Sequence, residues 1–118
     1  MDRACVNGTT LAYEVQGTGD LVMLLHCGFV AHGCDPLLRE DILTRRYRLI
    51  NYHRRGYGMS GPAPAPFNLD AQATDCVALM DALNIQRAHV VGHSYGGNIA
   101  LELMRQAPDR LGAVALLE

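Results

Sequence analysis

The sharpest chemical signal in the sequence is a serine set between glycines. Residues 92–96 fit the pattern G-x-S-x-G, and Gly97 follows at once. An apolar segment of strand length precedes the pattern and helical spacing follows it, the context in which such a serine acts as a nucleophile. Glycine at Gly92 and Gly96 permits the sharp turn that projects the serine hydroxyl. We therefore predict that Ser94 is a catalytic nucleophile.

Such a serine needs hydrogen-bond donors for the negative charge that develops on a substrate carbonyl oxygen. A strand that turns directly into a helix points the first helical amides toward the serine. The backbone N–H of Tyr95 is therefore predicted to be one donor of an oxyanion hole.

Two other motifs suggest ligands but lack the required context. Four metal-ligand types fall within residues 26–34, but their spacing fits no zinc pattern, so we predict no metal: His26, Cys27, His32 and Cys34. Residues 56–61 spell G-x-G-x-x-G after a strand, but the proline-rich residues 61–66 follow where a dinucleotide fingerprint requires a helix. We therefore predict no cofactor.

The four cysteines have no disulfide-framework spacing, which predicts reduced thiols.

The elements that position these residues alternate between strand and helix. Asn7-Gly8 predicts a hairpin turn, and continuous apolar runs predict strands buried on both faces, as in a parallel sheet. The predicted strands cover residues 21–25, 47–52, 88–91 and 113–117. The predicted helices cover residues 35–44, 68–84 and 96–106, with Asn84 as a left-handed terminator of the second. The order predicts an α/β fold with a mostly parallel sheet.

Two finer predictions concern side-chain placement. Helical spacing in the third helix places Gly97, Ala100, Leu101 and Met104 on one face. Five arginines bracket the strand at residues 47–52 and are predicted to be solvated: Arg45, Arg46, Arg48, Arg54 and Arg55.

Composition narrows the class of protein. The chain has 118 residues, is 49% hydrophobic and 19% charged, and carries a net charge of -2. These values predict a single globular domain over residues 1–118 and no electrostatic surface for nucleic acid or a membrane. No apolar run reaches the length of a membrane span, and no leader is evident, so we predict a cytoplasmic protein.

Taken together, the motifs resemble those of the α/β-hydrolase fold family, in its small esterase, lactonase and haloperoxidase-like branch. Residues 24–29 resemble the His-Gly loop after the third strand of that family. Residues 55–61 resemble its R-G-x-G-x-S segment, and residues 108–110 resemble the P-x-R turn after the nucleophile helix. The resemblance implies a three-layer fold that is incomplete at its C-terminal side.

The resemblance also implies roles for individual residues. The second oxyanion donor is expected to be the backbone amide of Gly28 or Phe29, and Cys27 stands where glycine is commoner. His26 is expected to order this loop rather than to transfer protons. His53 replaces a usual aspartate and is expected to lose the loop-ordering bonds of that carboxylate.

The base and the acid of a serine hydrolase are harder to assign. All five histidines precede Ser94, although the family places the histidine after the nucleophile. His32 and His53 remain candidate substitutes for the base, and Glu118 is a candidate acid. One hypothesis is a serine hydrolase that acts on an ester, a lactone or a similar carbonyl substrate. The alternative is a non-catalytic module that pairs with a second copy or a complementary chain through an open sheet edge.

Overall fold

The computed structural model describes residues 1–63 and 68–118. Residues 64–66 of the predicted proline-rich loop lie outside the described residues. No helix within the described ranges combines the length and apolar character that a membrane crossing requires.

In the part of the chain that the structure describes, a six-stranded mixed sheet forms the centre of the fold, in the order β1-β2-β4-β3-β5-β6. The β1–β2 and β2–β4 pairs are antiparallel, whereas β3, β4, β5 and β6 pair in parallel. Asn7 and Gly8 both have positive φ in the tight turn of the predicted hairpin. The predicted α/β architecture with a mostly parallel sheet is confirmed. The strands are β1 Asp2–Val6, β2 Thr9–Gly17, β3 Asp20–Leu25, β4 Tyr47–Tyr52, β5 Ala88–His93 and β6 Leu111–Leu117.

Within the described residues, three α-helices and two 3-10 segments connect the strands. The prediction of one continuous helix over residues 35–44 is wrong. Glu40 adopts extended backbone and divides the segment into a 3-10 turn and a short α-helix. The Glu40 carbonyl accepts from the amides of Leu43 and Thr44, so this residue begins a new helix. The helices are α1 Asp41–Thr44, α2 Leu69–Ala82 and α3 Tyr95–Gln106, and the 3-10 segments are Asp35–Arg39 and Pro108–Arg110.

Apolar side chains are buried on both faces of the sheet, which gives three layers. In β3, Met23 and Leu25 belong to the core cluster that also contains residues of α2 and α3. Val22 and Leu24 belong to a smaller cluster on the opposite face, with Leu38 of the first 3-10 segment. Burial on both faces explains why β3 is a continuous apolar run rather than an alternating one.

Helix α3 buries only part of the face that the spacing defines. Gly97 and Ala100 are buried, whereas Leu101 and Met104 are 50% and 46% exposed. Ile99 and Leu103 of the same helix are fully buried in the core.

Candidate active site around Ser94

Ser94 lies alone between a strand and a helix, because β5 ends at His93 and α3 begins at Tyr95. Its backbone has φ 53° and ψ -118°, a conformation that residues other than glycine rarely adopt. Such backbone strain is stored preferentially at functional sites and costs on the order of 1–3 kcal/mol. The Ser94 amide donates to the Leu117 carbonyl at 2.7 Å, which fastens the turn to β6. We call residues 92–97 the elbow.

Close backbone packing explains two of the elbow glycines. A Cβ atom on Gly92 would lie 2.6 Å from the Gly96 carbonyl oxygen. A Cβ atom on Gly96 would lie 2.1 Å from the carbonyl oxygen of Leu25 and 2.8 Å from that of His26. No side chain fits at either position, and the contact at Gly96 places the start of α3 directly against the end of β3.

An open cavity of about 710 Å³ lies beside Ser94. Ser94 shares its lining with Tyr95, Gly28 and Phe29, so the residues predicted as nucleophile and oxyanion donors come together. Glu118 also lines this cavity, but none of the histidines does. The remaining lining residues are Gly97, Asn98, Leu101, Leu116 and Leu117.

Side chains hold the loop after β3, residues 26–33, which we call the β3 loop. The Cys27 carbonyl oxygen accepts hydrogen bonds from His26 Nδ1 and from Arg54 Nη2, each at 2.8 Å. The Arg54 backbone N–H donates to His26 Nε2 at 3.0 Å, so the proton of the neutral ring is on Nδ1. Burial, followed by the charge of Arg54, lowers the pKa of His26 to about 4. His26 is therefore a neutral, fully engaged residue that orders the loop.

Arg54 contacts the candidate site in a way that sequence reasoning missed, and its predicted solvation is wrong. The side chain is 1% exposed, and its guanidinium lies over the rings of Tyr57 and Tyr95, at 4.4 and 5.1 Å from their centroids. Arg54 Nη1 donates to Gln72 Oε1, and the side chain forms no ion pair within the described residues. Carbonyl oxygens and aromatic faces thus replace water around this charge. The sequence pattern of the five arginines does not distinguish Arg54 from the others.

Arg55 is partly buried rather than solvated, and it makes a different contact. Its guanidinium makes a two-pronged ion pair with Asp75, at 2.9 and 2.8 Å. The side chains of Arg55 and Asp75 are only 12% and 5% exposed. This pair ties the segment after β4 to α2.

A second cluster of titratable groups lies outside the cavity, at His32, Asp35 and His53. One ligand atom of each lies within 4.8 Å of the others, and His32 Nδ1 bonds Asp35 at 2.8 Å. His53 Nδ1 accepts from the Met59 amide at 3.0 Å, so its buried and unpartnered Nε2 carries the proton. A protonated Nε2 is a donor rather than a metal ligand. His53 therefore supplies a loop-ordering hydrogen bond. The expectation that a histidine in place of the aspartate loses such bonds is wrong.

The cysteines form no disulfide, as the sequence predicts, and Cys5 is exposed whereas the other three are buried. Cys27 differs from the other two buried thiols. The backbone amides of Phe29 and Val30 lower the pKa of the Cys27 thiol, because N–H donors favour the thiolate form. Burial instead raises the pKa of Cys34 to about 11 and that of Cys76 to about 12.

Comparison with known proteins identifies the family. The model of the alpha/beta hydrolase fold matches residues 20–118. The chain belongs to the α/β-hydrolase fold family. The resemblance inferred from the motifs is therefore confirmed.

Individual members of this family resemble the chain over nearly its full length. It is 39% identical over 112 residues to "Putative carbamate hydrolase RutD" of Caulobacter segnis, covering 91% of this chain and 42% of that protein. A hydrolase from Pseudomonas aeruginosa PA01 superposes with a TM-score of 0.90 at 34% identity, covering 98% of this chain and 44% of that one. The enol-lactonase from Burkholderia xenovorans LB400 superposes with a TM-score of 0.87 at 30% identity, covering 96% and 45%. The chain thus spans less than half the length of these relatives.

Proposed function

We propose that this chain carries the nucleophile and the oxyanion hole of a serine hydrolase that acts on small carbonyl substrates. The observation that carries the proposal is the shared cavity, where strained Ser94 lies with Tyr95, Gly28 and Phe29. The relatives named above as a carbamate hydrolase and an enol-lactonase support an ester, a lactone or a similar acyl compound as the substrate class.

In the proposed reaction, Ser94 Oγ attacks the carbonyl carbon while a base accepts its proton. The negative charge that develops on the carbonyl oxygen is stabilised by two backbone amides, that of Tyr95 and one from the β3 loop. Collapse of the tetrahedral species breaks the bond to the leaving oxygen, which takes the proton from the protonated base and departs as the alcohol, and leaves an acyl group on Ser94. Water then attacks this ester, and its hydrolysis restores the hydroxyl.

No histidine lines the cavity, so we place the base of the proposed reaction elsewhere. His32 pairs with Asp35, and His53 uses Nδ1 to hold the Met59 amide, so neither is placed to serve Ser94. We assign the base to the part of the fold that the longer relatives possess and this chain does not span. Glu118, which lines the cavity, is our candidate for the acid that orients that base.

A fluorophosphonate probe tests the proposal, with imidazole added as a replacement base. We expect imidazole-dependent labelling of Ser94 that disappears in Ser94→Ala. Ser60, the other serine, is an internal control, because its hydroxyl donates to the His53 carbonyl and accepts from the Ala12 amide. Peptide mass spectrometry separates the two sites. Absence of Ser94 labelling at every imidazole concentration contradicts the proposed function.

The exposed edge of β6, the outer strand of the sheet, supports a second proposal. Within the described residues β6 pairs only with β5, and its Leu116 and Leu117 side chains are 52% and 47% exposed. An exposed apolar edge strand is a template for pairing with another chain. We propose, as the alternative, a module that associates through β6 with a second copy or a complementary chain.

Sedimentation velocity over a range of concentrations tests this alternative. In a parallel ladder, alternate residues bond to the same neighbour. The Leu117 carbonyl accepts from the Ser94 amide, directly after β5, so the Leu116 amide points outward from the β5–β6 ladder. Leu116→Pro removes that outward donor, whereas Leu116→Ala removes only apolar surface. We expect association that weakens much more in the proline variant. A protein that stays monomeric at all concentrations rules out self-association.

A further inference from the structure

We propose that Arg54 and His26 are positioning residues that orient the Gly28 backbone N–H toward Ser94, so that Gly28 rather than Phe29 supplies the second oxyanion donor. The proposal deepens the proposed hydrolase function and rests on it for its catalytic consequence. Neither side chain is needed to touch the substrate.

The argument begins with the planarity of the peptide bond. In a trans peptide, the carbonyl of one residue and the N–H of the next point in opposite directions. The Cys27 carbonyl is held from the protein interior by two donors, Arg54 Nη2 and His26 Nδ1. The Gly28 N–H of the same peptide must therefore point away from the interior. Within the described residues it donates to no acceptor, so it is available to a ligand in the cavity.

The next peptide is held by a single side-chain hydrogen bond. Tyr57 OH donates to the Gly28 carbonyl at 2.8 Å, so the Phe29 N–H of that peptide points away from the Tyr57 hydroxyl. Phe29 contributes an almost fully exposed side chain, at 94%, to the rim of the cavity. The two bonds to the Cys27 carbonyl therefore favour Gly28 over Phe29 as the donor.

Arg54 also connects the two proposed donors. Its Nη1 donates to Gln72, whose Nε2 donates to Tyr95 OH at 3.2 Å, and its guanidinium lies against the Tyr95 ring. One buried cation therefore contacts the β3 loop on one side and the first residue of α3 on the other. The fixed positive charge also polarises the Cys27–Gly28 peptide in the sense that strengthens Gly28 N–H as a donor.

The experiment combines labelling kinetics with NMR on the full chain. Arg54→Gln, Arg54→Lys and the neighbouring control Arg55→Lys are compared with wild type. With fluorophosphonate and imidazole, we expect Arg54→Gln to lower the maximal labelling rate about 10- to 100-fold, because loss of one donor reduces catalysis by about 100- to 1000-fold. The probe concentration for half-maximal rate should not change. Arg54→Lys should recover part of the rate, and Arg55→Lys should label like wild type.

Residual dipolar couplings of the Gly28 N–H report its direction independently of chemistry. We expect this coupling to change in Arg54→Gln while those of Gly92 and Gly96 stay constant. An unchanged Gly28 coupling, or a wild-type labelling rate in Arg54→Gln, overturns the proposal. If Arg54→Gln does not fold, Arg54→Lys is read by the same two criteria. If wild type does not label at all, the proposed function fails, and the coupling alone decides whether Arg54 orients Gly28.

Discussion

The two halves of the candidate site are held in different ways. The elbow is shaped by backbone packing, since Gly92 and Gly96 leave no room for a Cβ atom. The β3 loop is shaped by side chains from distant positions, chiefly Arg54 and Tyr57, which bond its carbonyl oxygens. A local motif can encode the first half, whereas the second depends on residues about 28 positions away in the chain.

This difference predicts how each half fails. A change in the elbow should act as a steric insertion that the backbone cannot relieve. A change in the β3 loop should remove one hydrogen bond from several, so its effect should be graded. The following measurements test this contrast, from the largest expected effect to the smallest.

Gly96→Ala should be the most damaging substitution. Its Cβ atom would overlap the Leu25 carbonyl oxygen, and overpacking against rigid backbone costs about 3 kcal/mol or more. Gly97→Ala is the matched control, because its Cβ atom would meet nothing closer than 3.7 Å. Alanine at that helical position should raise the free energy of unfolding by up to about 1 kcal/mol. Urea denaturation measures both, and equal effects of the two variants would refute the steric account of the elbow.

Acid should weaken the β3 loop through His26. The unfolded chain protonates this imidazole below its ordinary pKa of 6.5, whereas the folded chain does so only near pH 4. The folded state therefore loses stability as pH falls from about 6.5 to 4, by about 3 kcal/mol in total. His53, whose pKa is also lowered by burial, contributes with the same sign.

Comparison with His26→Asn isolates the His26 contribution. The asparagine retains a donor near the position of Nδ1 but cannot titrate. Unfolding free energies measured in urea from pH 7 to pH 4 should therefore depend less on pH in the variant. Parallel curves for the two proteins would show that His26 does not cause the acid sensitivity.

Tyr57→Phe should have a smaller effect on the β3 loop. It removes the hydrogen bond to the Gly28 carbonyl but keeps the ring beside Arg54. We expect the free energy of unfolding to fall by about 1 kcal/mol, the usual contribution of one such bond. Amide hydrogen exchange should accelerate at residues 28–30 and not at the elbow. Equal acceleration in both regions would mean that they open together.

Ser94→Gly should change stability least, and in the opposite direction. Glycine tolerates φ 53° without strain, so the free energy of unfolding should rise by up to about 1 kcal/mol. Ser94→Ala keeps the Cβ atom and the strain, and should leave stability near the wild-type value. Thermal unfolding of the two variants measures the difference, and a glycine variant no more stable than the alanine variant would argue against stored strain.

The sequence was most informative where local rules determine the structure. The hairpin at Asn7-Gly8, strand β4 at residues 47–52 and the end of α2 at Asn84 follow from turn chemistry and apolar runs, and each was predicted. The family was also recognisable, because its motifs are short and ordered along the chain.

Prediction failed where distant contacts decide the outcome. Leu101 and Met104 share a helical face with the buried Gly97 and Ala100, and the sequence spacing does not show that both are about half exposed. The arginine pattern could not show that Arg54 is buried, because the residues that surround it come from the β3 loop, α2 and the elbow. His53 was judged by the aspartate it replaces, whereas its ring nitrogen makes a backbone bond of its own.

The bond from the Ser94 amide to the Leu117 carbonyl has a consequence for engineering. It places Ser94 next to the outermost ladder of the sheet, so any strand added beside β6 would lie close to Leu117, the bonding partner of the serine amide. The same junction could therefore act as a sensor, in which the rate of serine modification reports whether a complementary fragment has docked.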